Sequence, residues 1–207
     1  STTNFALIGR KIMNYRNSNI IIGTSTSLAN PNTGSSVGDF HVLIGSQAGE
    51  GITSGRLNIM LGFQAGRNTT SGSDNIMLGT LTGTANTSGS NNIYIGRANG
   101  SNLNASNNVA IGFNALVGAS GSTASSSVAI GTDALKVVTS ATNNLALGSN
   151  SSSKITTGSN NVTLGTSSFN NGTTGFSNVI IGSSAALALT TGNNNIIIGE
   201  GAALGTA

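Results

Sequence analysis

The sequence predicts an all-β protein, a parallel β-solenoid or β-roll of about twelve coils of ~17 residues, and three regularities predict it. The first is a glycine that closes a three-residue apolar run, at Gly9, Gly23, Gly45, Gly62, Gly79, Gly96, Gly112, Gly131, Gly148, Gly165, Gly182 and Gly199. Eight of the eleven intervals lie within one residue of seventeen, and a period that short marks a stack of units that contact only their neighbours. The second is an asparagine four places before the glycine, at Asn19, Asn58, Asn75, Asn92, Asn108, Asn144, Asn161, Asn178 and Asn195, with Phe5, His41 and Ser127 as exceptions. The third is a return signal in most coils: a small residue three places after the glycine, a threonine eight after it and a second glycine ten after it, as in Ala65, Thr70 and Gly72.

Each coil then reads as a short strand, a turn, a weaker second strand and a Thr/Ser-Gly-Asn turn. Runs of Ile, Val and Leu cut every few residues by Asn and Gly favour strands over helices. Asp133 to Val138 has helical composition, but its place in the repeat makes it strand or turn. Asn and Gly tolerate the positive φ of tight corners. Stacked asparagines can also bond to one another along their column. At about 4.8 Å per coil the rod would be roughly 55 to 60 Å long. The repeat is unbroken, so residues 1–207 form a single domain, and the absence of an initiator Met and of polar caps predicts a piece of a longer fibre protein.

The middle residue of each triplet bears on assembly. If the first and third residues face the interior, the second faces out. That places Leu7, Ile21, Leu43, Met60, Met77, Tyr94, Ile180 and Ile197 on the outside, with Ala110, Ala129, Ala146 and Thr163 completing the column. An outward apolar column predicts an interface, and the simplest cover is further copies of the chain about a shared axis, a homotrimer.

Asn-Val-Ala-Ile-Gly (108 to 112), Ser-Val-Ala-Ile-Gly (127 to 131) and Asn-Leu-Ala-Leu-Gly (144 to 148) resemble the head repeats of YadA-like trimeric autotransporter adhesins. The stretch from Asn58 to Gly66, with its Gly-Phe-Gln-Ala-Gly ending, is similar to repeats in tail fibres of phages and large viruses. The resemblance covers nearly the whole chain. It implies a left-handed β-roll, three chains packed about the fibre axis, and attachment at a cell surface or virion through a glycan or protein receptor. The repeat is about three residues longer than the adhesin head pattern, which favours the viral or phage-like fibre.

Composition points away from other classes. Only 6% of residues are charged and 4% aromatic, and the net charge of +3 is no dense basic stripe, so nucleic acid is not expected as a partner. There is no cysteine, and no run approaches the roughly 18 apolar residues of a membrane span, so no membrane insertion is expected. No catalytic, cofactor or metal site is expected. Asp39, His41 and Glu50 are the one cluster weighed, and His41, in the asparagine column, reads better as a corner hydrogen-bonding group. Ligand-bearing candidates are the insertions Ala29 to Gly38 and Val117 to Ser126 and the aromatics Phe63, Phe113, Phe169 and Phe176, for which turn or inter-chain packing is the simpler role. The rival function is a monomeric ice-binding solenoid built on the threonine column, although adjacent threonines such as Thr156 and Thr157 cannot both face outward from one strand.

Overall fold

The computed structural model describes residues 19–24 and 40–203. They form a parallel β-solenoid with no helix among the described residues. Eleven strands stack in sequence order into one sheet: β1 (Ile20–Ile22), β2 (Val42–Ile44), β3 (Ile59–Leu61), β4 (Ile76–Leu78), β5 (Ile93–Arg97), β6 (Val109–Phe113), β7 (Val128–Ile130), β8 (Leu145–Leu147), β9 (Val162–Leu164), β10 (Val179–Ile181) and β11 (Ile196–Ile198). Register is strict, each triplet pairing with the same triplet one coil on, as in Ile59↔Ile76, Met60↔Met77 and Leu61↔Leu78. From β2 to β11 the backbone is continuous and makes about nine turns of ~17 residues. That is fewer than the twelve coils read from the glycines, and the coil ending at Gly9 lies outside the described residues. The ten steps between eleven strands give a stack about 48 Å long.

The weaker second strand does not form as regular strand. Outside the sheet only the isolated bridges Leu103↔Ser122 and Ser125↔Thr142 occur among the described residues. The return is a chain of turns in which one carbonyl serves several donors, so that Thr70 O accepts from Thr53, Ser54 and Gly55 N–H at 2.9, 3.1 and 3.1 Å. Asp133 to Val137 is turn and Val138 is irregular, so no helix or strand forms there.

Besides the marker glycine (φ 131 at Gly96), three corners per coil have positive φ: the residue before the asparagine column, and the second and fourth residues after the marker glycine. Asn91 (φ 58), Ala98 (φ 58) and Gly100 (φ 55) are one coil's set. The marker glycines lie along a close approach of successive coils, since a Cβ on Gly79 would stand 1.7 Å from the carbonyl oxygen of Gly96.

The asparagine column is a buried hydrogen-bond ladder. Asn58 Oδ1 accepts from both the backbone N–H and the side-chain amide of Asn75 at 3.0 Å, and Asn75 does the same for Asn92. Most of these amides also donate to a carbonyl near the next corner, fourteen residues on for Asn58, Asn75, Asn144, Asn161 and Asn178, as Asn58 does to Gly72 O at 2.9 Å. His41 takes both roles in its coil: Nδ1 accepts from Asn58 N–H at 3.2 Å and Nε2 lies 3.1 Å from Gly55 O. A backbone N–H needs an acceptor, so Nδ1 is unprotonated and Nε2 carries the hydrogen. Ser127 Oγ continues the ladder by accepting from Asn144 N–H at 3.2 Å.

The ladder fixes which way the strand faces. With asparagine buried at the fourth place before the glycine, alternation puts the third place outside, the second inside and the first outside. The middle residues are therefore the core, which inverts the facing expected from the sequence. Leu43, Met60, Met77, Tyr94, Ala110, Ala129, Ala146 and Ile180 are 0% exposed, and Ile21 and Ile197, in the two end strands, are partly buried against the same cluster. Leu7 lies outside the described residues.

In most coils the middle residue faces the residue six places on and the two sizes compensate, Ala146 with Ser152, both small, being the exception. Leu43, Met60, Met77 and Tyr94 are followed by Gly49, Gly66, Gly83 and Gly100, whereas Ala110 and Ala129 are followed by Leu116 and Leu135, and Thr163 by Phe169. The glycines are filled by their partners: a Cβ on Gly66 would sit 2.4 Å from Met60 Sδ, and one on Gly100 would sit 2.5 Å from Tyr94 Cε2. A coil of fixed girth encloses a fixed volume, so one large side chain excludes the other. Thr163, the polar exception in the middle column, is satisfied by buried hydroxyls: Ser151 and Ser152 Oγ each lie 2.9 Å from its Oγ1, which donates to Leu145 O at 3.2 Å.

Candidate interaction surface

The alternation that buries the middle column turns the first and third residues of every strand outward. Across eleven strands those 22 positions hold only Ile, Val and Leu, from Ile20 and Ile22 to Ile196 and Ile198. They are part-exposed in mid-stack, with Ile59 at 38% and Ile130 at 37%, and more exposed in the two end strands. Parallel stacking in strict register converts a pattern of isolated triplets into two continuous aliphatic columns on one face. No charged side chain interrupts these columns.

In β5 and β6 the strand continues through the glycine, so Arg97 and Phe113 fall on this face beside the columns and pair in register. The Arg97 guanidinium stacks over the Phe113 ring, 5.6 Å from its centroid. Phe63, at the same place in its coil, is also exposed. Elsewhere from Thr24 to Ser183 this third column is Thr or Ser. At the opposite margin Phe40 (φ 66) and Leu57 (φ 55) occupy the corner that Asp74, Asn91 and Asn107 hold in later coils, and both are more than half exposed.

The other candidates from the sequence are dispersed by the fold. His41 is engaged in the ladder, Glu50 pairs with Arg67 at 3.0 Å, and Asp39 lies outside the described residues, so the three form no common centre. The described residues contain no group of His, Cys, Asp and Glu that could hold a metal ion. Phe63, Phe113 and Phe176 are exposed, but Phe169 is 0% exposed and fills the core space that Thr163 leaves. The insertion Ala29 to Gly38 lies outside the described residues, while the excess within Val117 to Ser126 is a projecting turn closed by Ser122 N–H to Ala119 O at 3.0 Å. In the threonine column Thr53, Thr70, Thr139, Thr156 and Thr173 each donate Oγ1–H to the threonine carbonyl one coil on, so those hydroxyl hydrogens are engaged within the stack.

Tyr94 is the one titratable group in the core whose acidity is shifted. Burial raises its phenol well above the usual tyrosine range, and the Asn108 side chain offsets this only in part. The hydroxyl has no hydrogen bond of acceptable geometry within the chain.

One sequence signal bears on the facing once the coil sets residues six apart against each other. The signal is the reciprocal size of residues six apart, Met60 with Gly66 against Ala110 with Leu116, which belongs to an interior and not to a surface. The fold and this face define a parallel β-solenoid with a flat aliphatic side. Comparison with family models, curated proteins and solved structures finds no match.

Proposed function

We propose that this chain is a structural and adhesive fibre segment that assembles with copies of itself, three about a common axis, to mediate or display attachment at a cell surface or virion. The supporting observation is the pair of uninterrupted aliphatic columns. Fully burying a Val, Leu or Ile is worth about 1.5 to 3 kcal/mol, so 22 part-exposed residues leave on the order of 10 kcal/mol unrealised in the isolated chain. The face is about 48 Å long and, counting the third column, about 15 Å wide, roughly 700 Å². A stable interface buries about 800 Å² per partner, so the whole face is the size of one interface, which three copies about an axis would divide between two neighbours. A second copy is the natural cover because it is equally apolar, equally long and has the same rise per coil. The resemblance to adhesin heads and tail fibres supplies the number three and the attachment role.

Sedimentation equilibrium at several concentrations tests the assembly. The expected mass is three times the 20.4 kDa of the chain. A dimer would keep the face as an interface and reject the three-fold arrangement, and a stable monomer would reject self-association. Glycan-array and host-cell binding by the assembled protein then test attachment.

A further inference from the structure

The two aliphatic columns cannot by themselves fix how far one copy is shifted along another. Every coil presents the same pair of Ile, Val or Leu side chains at a spacing of about 4.8 Å, so sliding a copy by one coil recreates nearly the same contacts and loses only one coil of overlap. Specificity needs a feature that differs from coil to coil.

Resting on the proposed self-association, we infer that Phe63, Arg97 and Phe113 set the axial register between copies. They break the uniformity of the third column, which is otherwise Thr or Ser from Thr24 to Ser183, and they border the aliphatic columns. Their spacing is unequal: Phe63 is two coils from Arg97 and three from Phe113. An unequally spaced set of large groups coincides with itself only at zero shift. A slip of one coil sets each aromatic against Thr or Ser, or against Arg97, and forfeits the aromatic contact area that aligned copies share. The Arg97 guanidinium, held over the Phe113 ring, widens that landmark and makes it asymmetric along the stack.

The test exploits the absence of cysteine from the chain. One batch carries Ser54→Cys with a nitroxide and another carries Thr191→Cys with a gadolinium label, both exposed on the return turns and outside the three columns. The two are mixed by unfolding and refolding, and distances between unlike labels are measured by electron double resonance. The labelled positions are eight coils apart, about 38 Å along the axis, so each one-coil slip moves the distance by nearly 4.8 Å. In the parent a single inter-copy distance is expected. In Phe63→Thr/Arg97→Thr/Phe113→Thr, which installs the column's own common residue, a series of distances stepped by nearly one coil is expected with unchanged assembly mass. A single distance in both proteins, or a series already in the parent, overturns the inference. No inter-copy distance in the parent, with a monomer mass, removes the self-association itself. Should the triple variant fail to fold, Arg97→Thr/Phe113→Thr removes the largest landmark and must already broaden the distribution.

Discussion

Reciprocal filling of the coil interior makes a prediction that can be worked through quantitatively. Ala110 and Leu116 share one coil, next to a run of four coils in which a large middle residue faces glycine. Leu116→Gly removes a fully buried side chain, at about 3 to 5 kcal/mol with its cavity. It also relieves a leucine held at φ 50, which returns about 1 to 2 kcal/mol, leaving a net loss of about 2 to 3 kcal/mol. Ala110→Met alone drives three extra heavy atoms into the space of Leu116 and is expected to cost about 1 to 3 kcal/mol. The double variant recreates the pairing of Met77 with Gly83 and should lie within about 1 kcal/mol of the parent. The coupling energy is therefore about 3 kcal/mol and favourable. It is read from a double-mutant cycle in urea, monitored by circular dichroism at one fixed protein concentration so that assembly contributes equally to all four proteins. Additivity within about 0.5 kcal/mol would show that the two side chains do not share a cavity and would refute reciprocal filling.

Inward and outward columns should respond oppositely to charge. Met77→Asp places an unpaired carboxylate in the core and is expected to unfold the stack, whereas Ile93→Asp/Val128→Asp, on the outward face, should leave a folded chain that sediments as a monomer; circular dichroism and sedimentation together separate the two outcomes. His41→Asn is expected to be neutral within about 0.5 kcal/mol because it keeps the acceptor for Asn58 N–H and the donor to Gly55 O, while His41→Ala leaves both groups unpaired and should cost about 2 kcal/mol or more in the same urea titration. Tyr94 predicts an alkaline dependence. Its folded-state pKa is raised, so above the unfolded value of about 10 the unfolded chain releases a proton that the folded chain keeps, and stability falls by up to about 1.4 kcal/mol per pH unit. Tyr94→Phe should abolish that part of the fall and cost little at neutral pH, since the hydroxyl makes no hydrogen bond of acceptable geometry. A Tyr94→Phe protein with an unchanged slope from pH 10 to 11 would contradict the burial argument.

The repeat was legible in the residues because each of its parts answers a local demand. Glycine recurs where coils approach too closely for a Cβ, as at Gly79, and asparagine recurs where a side chain must both accept and donate along the stack, as at Asn75. His41 fits the ladder for the same reason, an acceptor and a donor on one short side chain. The second strand expected from the sequence is a chain of turns because threonine and apolar residues also suit turns that stack coil on coil through single carbonyls, as at Thr70. Polar coil neighbours suggest an exposed Phe169, whereas it fills a buried space created by Thr163, six residues earlier.

From the sequence alone came the period, the parallel solenoid and the existence of an apolar face, since these depend on spacing and residue type along one chain. Which column forms that face was decided by tertiary structure. Alternation along a strand says only that neighbours face opposite ways, and a triplet of three apolar residues satisfies either choice. The choice is made by the buried asparagine one step before the triplet and by the fixed girth of the coil. It can enclose Met60 opposite Gly66 or Ala110 opposite Leu116, and it leaves the paired Ile, Val and Leu side chains outside.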